Sequence, residues 1–319
     1  MEPIDRCIRR ADWFQRRRDL LALGYTDRHI RVALAAHTIF RVRQGWFSVP
    51  DAPEVGIRAV RVGGRLAGVA ALEAYGLRVP RREAVDIVVA ANACRLREPD
   101  DRLRRLDFGG AVRIHWTEHG RRGTGSVWRT SVDDALLLVL STEKRDIAVA
   151  CASAVMRYLG FTQRWLESVF ERAPARVRGW VSLVSDQDDA HGETFVRLWF
   201  HDAGVWCESQ PRIGNGRRLD FRVGPNTYVE VDGAQHDPLW TGTGGSSRHK
   251  DVSTDVFVAA TGGTVLRFDY AMLYGHWDEC LAATRQAVAD DVELVARRER
   301  NPAVPNPVRA LRRSRKRAS

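Results

Sequence analysis

Three acidic side chains occupy alternating positions in the C-terminal third of the chain, in a spacing that could hold a metal ion. Residues 218–223 alternate between apolar and polar types and include Asp220, and residues 228–232 alternate in the same way and include Glu230 and Asp232. The turn-forming sequence Gly-Pro-Asn separates the two runs. Side chains two positions apart on a strand share a face, and a three-residue loop sets Asp220 opposite Glu230. We therefore expect a hairpin with all three carboxylates on one face.

Carboxylates grouped on one sheet face repel one another, and a cation placed among them removes that cost. Clusters of oxygen ligands suit Mg²⁺ or Mn²⁺. A divalent ion held there can activate water and stabilise the charge that develops on a scissile phosphate. The alternative is a solvent-facing strand pair with ordinary acidic residues, although the string Glu-Val-Asp-Gly-x-x-His exceeds what simple alternation requires.

Further residues with chemical potential flank the hairpin. A predicted helix over 192–203 carries Glu193 in its first turn, and His236 follows the second strand. Lys250 and Asp251 stand near the start of a later predicted helix. A histidine with an ordinary pKa of about 6.5 suits a general base or a phosphate contact.

The order of these parts resembles the Vsr-like branch of the PD-(D/E)XK nuclease fold over roughly 100 residues. The matching features are Asp220, the string Glu230–His236, the earlier helix with Glu193, Asp251, and Thr264–Phe268 with its Arg267. The resemblance implies an α/β domain with αβββαβ order and a Mg²⁺- or Mn²⁺-dependent endonuclease that acts on DNA.

The resemblance also implies roles for individual residues. Asp220 is then the main metal ligand, Glu230 is a second ligand or orients the attacking water, and Glu193 supports the site through a water or a second metal. Lys250 takes the place of a lysine that the usual motif has where Asp232 stands. Asp251 binds a second metal or holds His236, and the DNA-contact candidates in this domain are Arg248 and Arg267.

Two departures from the family pattern weaken the expectation of catalysis. Val252 and Thr254 stand where the family usually has arginines after the helix-borne aspartate. Residues 240–247 are rich in Gly and Ser, which predicts a loop near the site, and the stretch lacks the phosphate-binding pattern GxxxxGK[ST].

The N-terminal region has the layout of a DNA-binding module. A predicted helix over 11–23 is followed by a break at Gly24-Tyr25 and by a second helix, capped by Thr26 or Asp27, that runs to about Ala36. Two apolar runs around Gln-Gly then predict a hairpin. A helix, a turn, a helix and a basic hairpin are the layout of a winged helix-turn-helix, in which the second helix enters the major groove.

This segment resembles the winged-helix domain of AbiEi-type antitoxins, on the layout and on the string from Phe40 to Phe47. The stretch Val69–Leu77 in the following region is similar to the same family. The resemblance implies DNA as a partner and a cognate toxin as a second one. The alternative is a helical packing module with solvated arginines. The DNA-binding candidates are Arg28, His29, Arg31, Arg41 and Arg43.

The middle of the chain shows no catalytic constellation. It predicts mixed α/β structure, and the histidine pair His115 and His119 is interpreted as structural. The predicted elements are helices over 59–75, 132–140 and 146–172 and strands over 85–90 and 112–116.

Composition limits the remaining possibilities. The chain has 319 residues, a net charge of +10 and five cysteines without a CxxC pair, which argues against a zinc ribbon or a disulfide framework. Eight arginines and one lysine against one glutamate lie from Arg297 onward, so most of the excess charge belongs to a basic tail. No apolar run reaches the roughly 18 residues of a membrane span, and no signal-peptide pattern begins the chain, so we expect a cytoplasmic protein.

These observations predict four segments: a winged helix over 1–55, an α/β region over 56–180, a nuclease-like domain over 181–295 and a disordered basic tail over 296–319. The leading hypothesis is a DNA endonuclease acting in repair, phage defence or mobile-element function. The alternative is an AbiEi-like antitoxin or repressor whose nuclease-like domain has weak or no activity. A third hypothesis is a structural or partner-binding protein that does not contact DNA.

Overall fold

Residues 1–184 and 185–319 form two separate units in the computed structural model of the chain. The structure describes residues 2–80, 82–108, 110–117, 125–214, 216–232 and 254–301. Helices and small mixed sheets occur in both units, which confirms the predicted α/β class. Within the described ranges, no helix has the length and apolar character needed to cross a membrane.

Unit 1 begins with helices that pack on a three-stranded antiparallel sheet of order β1-β3-β2. The elements are α1 (Ile4–Arg10), β1 (Phe14–Arg16), α2 (Arg17–Ala22), α3 (Asp27–Ala35), β2 (Phe40–Arg43) and β3 (Trp46–Ser48). Thr26 caps α3 by accepting the His29 N–H at 3.3 Å, as the sequence predicts for this position. The predicted hairpin is confirmed as β2 and β3.

The predicted helix over 11–23 is wrong in its first half. Asp12 and Trp13 adopt left-handed backbone angles, with φ of 57° and 76°, which ends α1. The next three residues pair with β3 as strand β1 and bury Phe14 completely. Burial of an aromatic side chain and a strand ladder outweigh the helical pattern of this segment.

The rest of unit 1 surrounds a second three-stranded sheet, of order β4-β5-β6, in which β5 and β6 are parallel. Its elements are α4 (Glu54–Val62), β4 (Arg65–Leu66), α5 (Gly68–Ala74), β5 (Val85–Ala90), β6 (Val112–Thr117), α6 (Val132–Thr142), α7 (Arg145–Leu159), α8 (Gln163–Arg172) and a 3₁₀ helix (Ala175–Leu183). One apolar core runs from Ile4 to Val177. The division of this unit at residues 55 and 56 remains a prediction.

Two predicted long helices are interrupted. The helix over 59–75 ends at Gly63, whose φ of 116° closes α4 before β4 begins. The helix over 146–172 divides into α7 and α8 at Gly160, whose φ is 66°. In both places the left-handed conformation suits glycine, and the apolar periodicity on either side hides the break.

Unit 2 contains a four-stranded mixed sheet of order β10-β9-β8-β7. Its elements are α9 (His191–Asp202), β7 (Glu208–Ser209), β8 (Phe221–Arg222), β9 (Thr227–Asp232), α10 (described over 254–260), β10 (Thr264–Asp269), α11 (Tyr270–Gly275) and α12 (Trp277–Arg300). From α9 to β10 the elements follow the predicted αβββαβ order. The predicted strand over 218–223 is shorter than expected, because Leu219 donates its N–H to the carbonyl of Pro211 outside the ladder.

The predicted turn between β8 and β9 is held by a buried aspartate. Asp291 of α12 accepts hydrogen bonds from the Asn226 N–H at 2.6 Å and from the Thr227 hydroxyl at 2.9 Å. Val196 and Phe200 of α9 pack on Phe221 and Val229 of the sheet. The turn and the core together fix the register of β8 against β9.

Candidate active site

The hairpin of β8 and β9 places Asp220 beside Glu230. The antiparallel register pairs Phe221 with Val229, so Asp220, one residue before β8, comes level with Glu230. The carboxylate of Asp220 accepts a hydrogen bond from the Val231 N–H at 2.7 Å. At this end of β8 the Asp220 side chain therefore takes the place of a backbone acceptor in pairing with β9, and this hydrogen bond fixes the position of its carboxylate.

Glu193 is a buried acid near Asp220. It lies in the first turn of α9, and only 8% of its surface is exposed. Its Oε2 accepts hydrogen bonds from the Asp189 N–H at 3.0 Å and from the Gln210 side-chain amide at 2.7 Å. Gln210 has a left-handed φ of 56°, and its own N–H bonds the Asp220 carbonyl at 2.8 Å. Gln210 therefore links the two acids.

The two acids have strongly raised pKa values. Burial, followed by the charge of Asp220, raises the pKa of Glu193 to about 8. Burial also raises the pKa of Asp220 to about 6, with further contributions from Asp232 and Asp189. The Val231 N–H and, more weakly, the charge of Arg267 act in the opposite direction. The neutral hydrogen-bond donors around Glu193 and Asp220 therefore offset only part of the cost of burying their negative charges.

Arg267 compensates the other acids of the site. In the parallel register of β9 and β10 it lies opposite Glu230, and the two side chains form an ion pair of 2.5 Å. The same guanidinium lies 3.5 Å from Asp232 and 2.9 Å from Asp255 of α10. Although burial lowers it, the hydrogen bond to Asp255 and the charge of Glu230 raise the pKa of Arg267 above its ordinary value. Arg267 therefore supplies the positive charge that the sequence pattern assigns to a metal ion.

The acidic cluster thus has two differently compensated parts. Glu230 and Asp232 face a guanidinium, whereas Glu193 and Asp220 keep the repulsion that a second cation would remove. Oxygen donors with raised pKa values suit a hard divalent cation, which favours their ionised form. Within the described ranges, however, no group of three or more His, Cys, Asp or Glu side chains has the geometry of a metal site.

Several residues of the site were not identified from the sequence. Asp188 is buried and binds Arg197 of α9 at 2.8 Å, although nothing in the local pattern separates it from a surface acid. Tyr270 lies close enough to Glu193 for that charge to raise its pKa, after the larger effect of burial. Asp255 follows Thr254 in α10, where the sequence directed attention to Asp251 instead. The predicted site residues His236, Arg248, Lys250 and Asp251 lie outside the described residues.

The DNA-binding candidates of unit 1 fall into two groups. Arg28, His29 and Arg31 are exposed on α3, although the His29 Nδ1 also accepts the Thr26 N–H at 3.1 Å. Arg41 is exposed on the hairpin, with its guanidinium 5.9 Å from the ring centre of Phe47. Arg43 differs, since it is half-buried and donates to the Arg95 carbonyl at 3.0 Å.

In unit 1 the predicted structural role of His115 has a geometric basis. Its Nε2 lies 2.7 Å from Asp86, a carboxylate that also binds Arg113 at 2.9 Å. His119, the other histidine of that pair, lies outside the described residues.

Comparisons with known proteins give little further support. No protein-family model and no curated protein matches the chain. Among solved structures, the chain is similar to one titled "Homing Endonuclease I-Bth0305I Catalytic Domain", at 16% sequence identity, with 30% of this chain and 87% of that chain covered and a TM-score of 0.23. A similarity of that score carries no argument about the chain, so the Vsr-like and AbiEi-type resemblances remain predictions.

Proposed function

We propose that unit 2 hydrolyses phosphodiester bonds in DNA with the help of Mg²⁺ or Mn²⁺. The observation that carries the proposal is the pair formed by the buried Glu193 and the partly buried Asp220, whose raised pKa values mark carboxylates held together at a cost in stability. Destabilising arrangements of this kind are typical of functional sites, in which a bound ligand compensates the lost stability.

Asp220 and Glu193 would hold the cation, with Glu230 beside them. When bound, the ion supplies a Lewis acid for the phosphate and lowers the pKa of a water. Gln210 and the Asp189 N–H orient Glu193, and the Val231 N–H orients Asp220. Arg267 holds Glu230 and Asp232 in place.

In the same proposal, DNA docks on the exposed basic side chains of α3 and the hairpin of β2 and β3. Arg28 and Arg31 project from α3, and Arg41 projects from the hairpin. A winged helix-turn-helix places its second helix in the major groove and its hairpin on the backbone. The half-buried Arg43 supports the hairpin rather than reaching outward.

The test is cleavage of supercoiled plasmid by the full chain with Mg²⁺ or Mn²⁺. We expect cleavage that EDTA abolishes and that falls by more than ~100-fold in Asp220→Asn and in Glu193→Gln, since loss of even an outer-shell partner costs ~10–100-fold. The matched control is Glu208→Gln, an acid-to-amide change on β7 whose carboxylate pairs with Arg222 of β8. Equal cleavage by wild type and both site variants would refute the assignment.

One observation favours a second function, a DNA-binding repressor or antitoxin without turnover. Arg267 already pairs with Glu230 and lies 3.5 Å from Asp232, so part of the acidic cluster is stabilised without a metal ion. Under this alternative the wild type binds DNA in a salt-dependent manner but leaves the plasmid intact with every metal. A cognate toxin would then be the partner to seek by co-purification.

A further inference from the structure

A second hairpin, not singled out by the sequence, packs beside β2 and β3 in unit 1. We call residues 95–106 the arginine hairpin, because five of its twelve residues are arginines. Its two arms are joined by hydrogen bonds from the Glu98 N–H to Arg104 at 3.1 Å and from the Leu106 N–H to Leu96 at 3.3 Å. Leu96 and Leu106 are buried in the apolar core of the unit. The segment is therefore anchored at its base.

Side chains tie the arginine hairpin to its neighbours through backbone carbonyls. Arg102 donates to the Arg41 carbonyl at 2.9 Å, and Arg43 donates to the Arg95 carbonyl at 3.0 Å. Arg61 of α4 donates to the Pro99 carbonyl at 2.7 Å. A carbonyl oxygen orients a guanidinium without cancelling its charge. These hydrogen bonds therefore fix the positions of the arginines and leave their positive charges able to attract an anion.

The nearby acids form no ion pair with the arginines of this hairpin in the described structure. Asp100 pairs with Arg58 at 3.1 Å, Glu98 accepts the Asp107 N–H at 2.7 Å, and Asp101 accepts the Leu103 N–H at 2.8 Å. Within the parts of the chain that the structure describes, no ion pair is formed by the arginines of this surface, namely Arg41, Arg43, Arg95, Arg97, Arg102, Arg104 and Arg105.

Like charges meet directly on this surface. Burial lowers the pKa of Arg43, and the charge of Arg97 lowers it further. Elsewhere in unit 1 arginines face carboxylates, as in the pairs Arg17–Asp27 and Arg172–Asp133. Seven arginines against three acids over residues 40–48 and 95–106 leave an excess of positive charge where the two hairpins meet, and an anion would relieve the repulsion there.

We propose that the arginine hairpin and the hairpin of β2 and β3 form one surface that binds the phosphate backbone of duplex DNA. The two hydrogen-bonded hairpins carry four exposed arginines, Arg41, Arg102, Arg104 and Arg105. Positive charges spread in this way suit a row of phosphates better than a single small anion. The tip residue Leu103 is 80% exposed, which places the tip of the arginine hairpin at the surface of unit 1. The inference rests on the DNA substrate of the proposed function but not on cleavage.

The test measures how binding to a duplex of about 25 base pairs depends on salt concentration. Fluorescence anisotropy reports the binding, and EDTA is present so that no cleavage occurs. The test variant of the full chain combines Arg102→Gln, Arg104→Gln and Arg105→Gln. The matched control removes the same charge from exposed positions on and after α8, by combining Arg164→Gln, Arg172→Gln and Arg176→Gln. Circular dichroism checks that both proteins fold.

Each lost phosphate contact lowers the slope of log K against log salt by ~0.9, so we expect the test variant to lose about 2–3 units of slope and the control almost none. Equal slopes in wild type and test variant, or an equal loss in the control, would overturn the inference. Tighter binding of wild type to poly-glutamate than to DNA would also overturn it, since it would assign the surface to acidic proteins. Absence of plasmid cleavage would leave this result unaffected and would count against the proposed function alone.

Discussion

Each unit of the chain contains a pair of neighbouring carboxylates that are buried wholly or in part, but the two pairs have different surroundings. In unit 1, Asp86 and Glu143 share the guanidinium of Arg113, at 2.9 Å and 2.6 Å. Asp86 also contacts His115, and Glu143 also pairs with Arg82 at 3.1 Å. In unit 2, the hydrogen bonds found for Glu193 and Asp220 come from neutral backbone and amide groups.

The difference separates a structural role from a functional one. A buried acid that faces a cation contributes to a stable ion network, whereas a buried acid without one raises the free energy of the folded state until a ligand compensates it. The raised pKa values of Glu193 and Asp220 record that cost. The first pair holds β5 and β6 to the end of α6, and the second is the candidate for cation binding.

The largest expected effect comes from breaking the compensated pair. Arg113→Met leaves Asp86 and Glu143 with one partner each, and we expect the free energy of unfolding of unit 1 to fall by ~3–4 kcal/mol. Urea denaturation, monitored by hydrogen exchange of the amides in β5 and β6, measures this loss in the free energy of unfolding. Arg172→Met, which breaks the exposed pair with Asp133, serves as the control and should cost less than ~1 kcal/mol. Equal losses in the two variants would contradict the comparison.

The next effect concerns the uncompensated pair and depends on pH. The pKa of Glu193 rises from 4.5 to about 8 on folding, so the folded state binds this proton more tightly. Its contribution to stability is complete below about pH 4.5 and is lost as the pH rises through 8. Glu193→Gln should abolish this dependence and make unit 2 more stable than wild type by ~3 kcal/mol above pH 8, as measured by urea denaturation without metal.

For this second prediction Glu208→Gln is the control, because its carboxylate forms an ion pair with Arg222. It should keep the pH dependence of the wild type. Identical curves of unfolding free energy against pH for wild type and Glu193→Gln, between pH 5 and pH 9, would show that the ionised Glu193 does not destabilise unit 2.

The smallest effect comes from converting compensated acids into uncompensated ones within unit 2. Arg267→Gln leaves Glu230, Asp232 and Asp255 facing one another, and we expect metal-free unit 2 to lose ~1–2 kcal/mol, because these acids are partly exposed. Saturating Mn²⁺ should restore most of the loss, measured by thermal unfolding with and without the ion. A loss that Mn²⁺ leaves unchanged would argue against a cation near Glu230. Arg222→Gln, which breaks the pair with Glu208, is the control for a general charge effect.

Local patterns predicted much of this fold because they act over a few residues. The alternation around Asp220 and Glu230 and the turn between them were sufficient for the hairpin and its register. Thr26 signalled the start of α3, and the apolar run 85–90 is strand β5 as predicted. Left-handed residues such as Asp12 and Trp13 gave no such signal, since their conformation depends on the pairing of β1 with β3.

The site was predicted less completely, because charge compensation involves residues far apart in sequence. The sequence predicted acids that require a cation, but it did not show that Arg267 lies opposite Glu230 through the parallel pairing of β9 and β10. It assigned Arg267 and Arg43 to DNA, and the structure places their guanidinium groups against Glu230 and the Arg95 carbonyl respectively. The arginine hairpin has no periodic pattern that would have identified it.

The amino-acid sequence by itself determined which side chains could do chemistry: the alternating acids of the hairpin, the acid in the first turn of α9 and the basic residues of α3. Periodicity and turn propensity are local properties, so the sequence displays them directly. Only the tertiary structure decided which acids are neutralised, because burial and long-range pairing set the electrostatic environment of a carboxylate. Glu193 and Asp220 became the candidate centre, and Glu230 became the partner of an arginine, only when α9, β9 and β10 packed together.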